Sequence, residues 1–336
     1  MLRGERILKQ PDSHVGMECD PLLYRTGLSC CLTLHPLGFP VRVESNSSEV
    51  ISGLEESWGG FQKEFDAPPV ELSVIVSAST NQALLSPPVF RCRRHVLTVV
   101  ADAENFAACD LNSGYGCAWI TTQTAKDSAY LRDSFTEALL LSMLNTRHLS
   151  PVHAACAVRD GTGVLLCGDS GSGKSSLALA CALRGWALLC DDASFLVRSL
   201  GGCTVVGNPF IMRFKPDAVR LFPQLGGRTA VARLNGKPTI HLRTSEFPQI
   251  ETVQRAEVRF LAFLRRGVQV EARLVRREAD SQPLPQLTEY GDVNDTIEQH
   301  EARRALSSLP AYDLFYCELD EAVEQLDAIF RSGGEL

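Results

Sequence analysis

Apolar residues recur along the chain in short runs and alternations separated by turn chemistry, with only a few stretches at helical spacing. Residues 28–34 and 40–44 read as strands around the turn His35-Pro36-Leu37-Gly38. Ser47-Ser48-Glu49 opens a helix with Ser47 as its cap, and Gly59-Gly60 closes it. Residues 71–77, 89–92, 95–100, 105–110 and 116–121 carry the composition of further strands. Between 127 and 146, Leu131, Phe135, Leu139, Leu140 and Met143 fall at helical spacing and predict a long amphipathic helix. This half therefore predicts an antiparallel sheet with two helices.

The pattern changes near Ser150-Pro151. Strands are expected at 154–158, 163–167 and 187–190, and a hairpin at 194–198 and 203–206 around Gly201-Gly202. Residues 216–221 read as a short helix and 228–236 as a basic loop. A second hairpin is expected from 258–264 and 270–274 around Arg265-Arg266-Gly267. Residues 282–292 read as a proline-bearing loop, and 295–306 and 319–331 as helices. The predicted organisation is a flexible arm (1–20), an N-terminal α+β domain of unassigned role (21–149) and an α/β domain (150–336).

Composition narrows the function classes. With 336 residues, 45% hydrophobic and 22% charged, the chain has material for an ordinary core. A net charge of −7 argues against a general nucleic-acid or membrane-surface binder. No apolar run approaches the roughly 20 residues needed to span a bilayer. Met1-Leu2-Arg3-Gly4-Glu5-Arg6 lacks the apolar core of a signal peptide. Of the twelve cysteines, Cys156, Cys167, Cys181 and Cys190 sit in apolar segments, and no C-x-x-C pair exists. A reduced, cytoplasmic protein is the expectation.

One segment carries specific chemistry. Gly168-Asp169-Ser170-Gly171-Ser172-Gly173-Lys174-Ser175 matches G-x-x-x-x-G-K-[ST] in full, between the apolar run 164–167 and a helical stretch from Ser176 to Leu183 that Gly185 stops. Strand, glycine loop and helix start are the order the motif requires. The glycines let backbone N–H groups turn inward on a phosphate chain, and the helix N-terminus adds positive potential. Lys174 is expected to bridge the terminal phosphates of ATP and the Ser175 hydroxyl to hold Mg²⁺, with one carboxylate of the Asp191-Asp192 pair as a second metal contact. His153 lies 21 residues before Lys174, and Asp191-Asp192 lies 17 and 18 residues after it, past the run 187–190. The acidic pair should therefore stand at the C-terminal edge of a strand, where open α/β sheets bind ligands. One carboxylate can accept the proton of an attacking hydroxyl while the other contacts Mg²⁺. Arg213, Lys215, Lys237 and Arg243 are candidate charges for a transferring phosphoryl group. His95 and His241 read as structural residues in strands, and Trp58, Trp119 and Trp186 as core or interface residues.

His153-Ala154-Ala155-Cys156-Ala157-Val158, the 168–175 loop, Arg184-Gly185 and Asp191-Asp192 together resemble the catalytic domain of HPr kinase/phosphorylase, related in fold to phosphoenolpyruvate carboxykinase. The resemblance is close over about 150–198 and looser through 208–217. It implies a mixed-sheet P-loop domain, with His153 assisting the site, Lys174 and Ser175 binding nucleotide and metal, and Asp192 as proton acceptor. Ser176 replaces the family's usual glutamate, and no Glu-x-Arg-Gly segment follows; Asn208-Pro209 and Met212-Arg213 occupy that region. These departures from the family pattern argue against reversal through phosphorolysis. The His-Ala-Ala-Cys-Ala-Val stretch and the segment Pro209 to Arg213 look more like the HPr-kinase-like proteins that phosphorylate a precursor peptide.

The expected activity is ATP- and Mg²⁺-dependent transfer of a phosphoryl group to a hydroxyl, a serine of a protein or peptide acceptor. A small-molecule kinase acting on a metabolite such as free serine is one alternative, and a nucleotide-binding switch without an acceptor is another. Neither a guanine-reading Asn-Lys-x-Asp nor an ABC-type Leu-Ser-Gly-Gly-Gln is present. The N-terminal half is left to recognise the acceptor, form a homo-oligomer interface or support the kinase region.

Overall fold

The apolar runs assemble into mixed sheets in a computed structural model, which describes residues 6–8, 26–78, 86–200, 202–232, 238–278 and 297–333. Contacts divide the described chain between Arg147 and His148 into two compact units. Both are mixed α/β.

The first unit contains β1 (Arg6–Leu8), β2 (Cys30–Leu34), β3 (Val41–Ser45), α1 (Ser48–Trp58), β4 (Val70–Ser77), β5 (Val89–Arg93), β6 (Val96–Val100), β7 (Phe106–Asp110), β8 (Tyr115–Thr121), α2 (Thr122–Lys126), α3 (Ser128–Leu131) and α4 (Glu137–Arg147). Its strands form one eight-stranded sheet in the order β1-β2-β3-β4-β8-β7-β6-β5. The expected antiparallel sheet is corrected to a mixed one, because β3 pairs with β4, and β4 with β8, in parallel. The helix between β3 and β4 is the cause: a crossover returns the chain in its starting direction, which a tight hairpin cannot do. Ser47 stands at the cap of α1, but its hydroxyl donates to the Glu49 carboxylate rather than accepting from the backbone. The long amphipathic helix is also corrected. A π-helical stretch, Arg132–Thr136, separates α3 from α4 and breaks the 3.6-residue repeat. All residues from Ala138 to Asn145 are buried, so α4 is a core helix with no solvent stripe. His95 lies in the turn between β5 and β6, not in a strand. Of the arm expected at 1–20, Arg6–Leu8 is a strand paired with β2, and the rest lies outside the described residues.

The second unit contains β9 (Leu149–Val152), β10 (Ala154–Arg159), β11 (Thr162–Cys167), α5 (Lys174–Leu183), β12 (Ala187–Cys190), β13 (Ser194–Val197), β14 (Thr204–Gly207), β15 (Ile211–Phe214), β16 (Val231–Ala232), β17 (Pro238–Arg243), β18 (Arg255–Arg266), β19 (Arg273–Arg276), α6 (Ile297–Ser307), β20 (Ala311–Tyr316) and α7 (Leu319–Arg331). The main sheet runs β12-β10-β11-β18-β14-β13-β9, and β20 lies beside β18 with β19 beyond it. A three-stranded sheet, β15-β17-β16, stands apart. One apolar cluster joins the main sheet to α5 and α7 through Leu166, Leu177, Trp186, Leu264 and Leu326, all buried. A second cluster, with Leu165, Leu189 and Leu261, includes Leu306 of α6.

Two expectations change here. β18 does not fold back on β19 as a hairpin. β20 separates them, parallel to β18 and antiparallel to β19. The C-terminal half of β18 is buried from Phe260 to Leu264, and such a strand needs hydrogen-bond partners on both sides. β20 supplies one, and the exposed β19 is left at the edge. Pro151, read as a boundary, lies inside β9, an edge strand where a missing N–H is tolerated. The basic loop expected at 228–236 contains the two-residue β16, residues 233–236 lie outside the description, and so does the loop at 282–292. Residues 216–220 form a 3₁₀ turn. Trp58 and Trp186 are core residues, and half-buried Trp119 stacks on Phe106 at 5.0 Å between ring centres. The eleven described cysteines are free thiols. Among the described residues no helix is long and apolar enough to cross a membrane.

Candidate active site

Strand direction assembles the site. β10 pairs antiparallel with β11 on one side and with β12 on the other. The start of β10 therefore lies beside the ends of both neighbours. Ala154 pairs with Cys167, and Cys156 with Cys190. His153, just before β10, falls at the same sheet edge as the loop that leaves β11 and the acidic pair that follows β12. The ten-residue α5 carries the chain over β10 between them.

The loop is held by glycine conformations and by a buried cation. Gly171 and Gly173 have φ of +91° and +100°, which side-chain-bearing residues rarely adopt. A Cβ on Gly168 would stand 2.6 Å from Ser172 Oγ, and one on Gly173 would stand 2.8 Å from the Tyr316 hydroxyl. Gly173 is the N-cap of α5 and brings no side-chain acceptor, so the first-turn N–H groups stay available to a ligand. Lys174, 5% exposed, donates from Nζ to the Gly168 carbonyl at 2.8 Å and the Asp169 carbonyl at 3.2 Å. Burial lowers its pKa below the ordinary lysine value, and Asp192 pulls it back upward. Asp169 and Ser170 are exposed, Ser176 is half-buried, and Ser172 Oγ is buried without a hydrogen-bond partner.

The two carboxylates occupy different surroundings. Asp191 is 4% exposed, and the backbone N–H of Arg213 donates to its Oδ2 at 2.5 Å. Burial, with the neighbouring charge of Asp192, pushes its pKa up to about 7, against the pull of that N–H and the Arg213 charge. Asp192 is half-buried, and its Oδ1 lies 3.2 Å from His153 Nε2. Ser175 Oγ donates to the Asp191 backbone carbonyl at 3.4 Å, which sets the hydroxyl beside the acidic pair. No cluster of three or more His, Cys, Asp or Glu side chains able to hold a metal occurs among the described residues. A metal here would take one or two protein oxygens, from Ser175 and the acidic pair, and complete its shell with water and phosphate, as Mg²⁺ commonly does.

The perturbed carboxylate gives a test of this environment. A carboxyl with a folded-state pKa near 7 binds its proton more tightly folded than unfolded. Stability is therefore lost as pH rises from about 4 to 7, and the full penalty remains above that window. Asparagine cannot ionise yet keeps an oxygen for the Arg213 N–H. Ligand-free Asp191→Asn should be more stable than wild type at pH 8, and the gap should widen by on the order of 2 kcal/mol between pH 5 and pH 8. Thermal melts at the two pH values measure it, and a pH-independent gap would show that Asp191 is not a buried, late-titrating acid.

Two residues at the loop had no signal of their own in the sequence reading. Tyr316, fully buried at the end of β20, donates its hydroxyl to the Ser172 carbonyl at 3.3 Å, and burial raises its pKa to about 12. Arg266, at the end of β18, brings its Cδ to 3.9 Å from where a Cβ on Gly173 would lie. The parallel pairing of β20 with β18 is what brings the ends of both strands to the loop. Of the other candidate cations, Arg213 meets Asp191 through its backbone and Lys215 reaches Gly171. Arg243 ends β17 with its backbone N–H on Glu246. Lys237 lies outside the described residues, and His241 pairs with Arg213 in the small sheet.

No protein-family model matches the chain, and no curated protein matches it in sequence. Among solved structures, it is similar to the HPr(Ser) kinase/phosphatase from Coxiella burnetii, at 15% identity over 55% of this chain and 93% of that one, with a TM-score of 0.30. A likeness of that size is a distant structural relationship and assigns neither activity nor substrate.

Proposed function

We propose that the chain is an ATP- and Mg²⁺-dependent kinase of the P-loop type seen in HPr kinase, transferring the terminal phosphoryl group to a serine hydroxyl of a protein or peptide. The observation that carries this reading is the convergence at one sheet edge of the glycine loop with its buried Lys174, the Ser175 hydroxyl and the His153–Asp192 pair.

The residues fit the nucleotide and metal. The Gly168, Gly171 and Gly173 positions leave a cradle that side chains would fill, and Ser172 Oγ has hydrogen-bonding capacity unused. Bound ATP with Mg²⁺ supplies the transferable phosphoryl group and a counter-charge for it. The loop N–H groups and Lys174 would hold the phosphates, and Ser175 and Asp191 would hold the metal. Asp192 would accept the proton of the acceptor hydroxyl as that oxygen bonds to the terminal phosphorus and the bond from this phosphorus to the bridging oxygen breaks, releasing ADP. His153 keeps that carboxylate in place. In-line positioning and charge neutralisation provide the rest of the rate.

Incubation with terminally labelled ATP, Mg²⁺ and a cell extract should label a macromolecule. A dialysable product would move the acceptor to a small metabolite. Tight ATP binding with no transfer would make the chain a nucleotide-binding switch.

A further inference from the structure

The strand β15 packs against α5 and places its last neighbour over the glycine loop. Alternation buries Met212 and Phe214 and leaves Arg213 and Lys215 on the other face. The Arg213 N–H is tied to Asp191 Oδ2, so the strand is anchored to the site itself. Lys215 is exposed, yet its Nζ lies 2.9 Å from where a Cβ on Gly171 would stand. Any other residue at 171 would push that ammonium away. Among the described residues no carboxylate forms an ion pair with Lys215. An exposed lysine on a flexible stem gains little by folding over a glycine that offers it no acceptor. Lys174 sits at the opening half of the same loop, on the Gly168 and Asp169 carbonyls. Two ammonium groups thus serve one loop, Lys174 at Gly168 and Asp169 and Lys215 at Gly171, and their like charges favour an anion bound to the loop.

We propose that Lys215 is a second cationic ligand of the phosphate chain, closing over Gly171 from β15 while Lys174 holds the chain from α5. This deepens the kinase reading and rests on it. The ligand class is the polyphosphate end of a nucleoside triphosphate. Lys215 touches it directly, and the fixed strand sets the approach of the flexible side chain.

Calorimetric titration of the full chain with MgATP, at low and high salt, tests the assignment. Lys215→Gln should weaken binding by about tenfold at low salt and less at high salt, where screening already reduces the charge term. Lys215→Arg should stay within about threefold of wild type, since it retains the charge. The ligand-free melting temperatures of all three proteins should agree. Equal MgATP affinity in Lys215→Gln and wild type would remove Lys215 from the site and leave the kinase reading intact. A wild-type chain that binds no MgATP would overturn both.

Discussion

Lys174→Ala is expected to abolish MgATP binding, with affinity falling by at least about a hundredfold. The ammonium is almost wholly enclosed, and burial opposes its charge. The fold nevertheless keeps it there, satisfied by two carbonyls of the loop it is meant to serve. Those bonds place a preformed charge against the space that Gly168, Gly171 and Gly173 leave open. Alanine removes the charge but neither the glycine conformations nor the Tyr316 support under Ser172. Asp169 is exposed and Gly168 half-buried, so the freed carbonyls can turn to water. The ligand-free protein should therefore melt close to wild type while calorimetry detects no nucleotide. An alanine variant that binds MgATP within about threefold of wild type would mean that the phosphates lie elsewhere.

The elements that local chemistry controls were readable in the chain. Gly185 at φ +84° ends α5 where the composition placed its stop, and α7 occupies the expected 319–331. β13 and β14, successive in the chain, pair antiparallel as the expected hairpin. Pairing between distant strands was not readable, because the apolar pattern records which face is buried and not which neighbour lies alongside. Arg265-Arg266-Gly267 has turn composition, and nothing local announces that β20 inserts between β18 and β19. Tyr316 and Arg266 were missed for that reason. The spacing of His153, Lys174 and Asp191-Asp192 suggested neighbours, but the physical cause is the antiparallel β10, whose start is flanked by two strand ends. The first unit departs from the expected antiparallel sheet because α1 between β3 and β4 makes a crossover that leaves the two strands parallel. The π-helical stretch before α4 left apolar positions that only imitate an amphipathic stripe.

Asp192→Asn should keep MgATP affinity within about threefold of wild type and lower phosphoryl transfer by about 10²–10⁴-fold, the usual contribution of a positioned general base. The two neighbouring acids are distinguished by what surrounds them. Asp191 is enclosed, and its Oδ2 is engaged by the Arg213 N–H. That leaves it suited to stay in place beside the Ser175 hydroxyl rather than to meet an incoming acceptor. Asp192 is half-buried and its Oδ1 faces His153 Nε2 at 3.2 Å, so the carboxylate is oriented while remaining partly accessible to solvent. Asparagine preserves the shape and the contact to the imidazole but not the basicity. Binding should survive, because in the proposed site the loop and Lys174 would hold the phosphates without help from this side chain. Single-turnover transfer, measured beside calorimetric affinity, separates the two effects. Full transfer in Asp192→Asn together with loss in Asp191→Asn would exchange the roles of the pair, and loss of binding in Asp192→Asn would make Asp192 a ligand of the metal instead of the base.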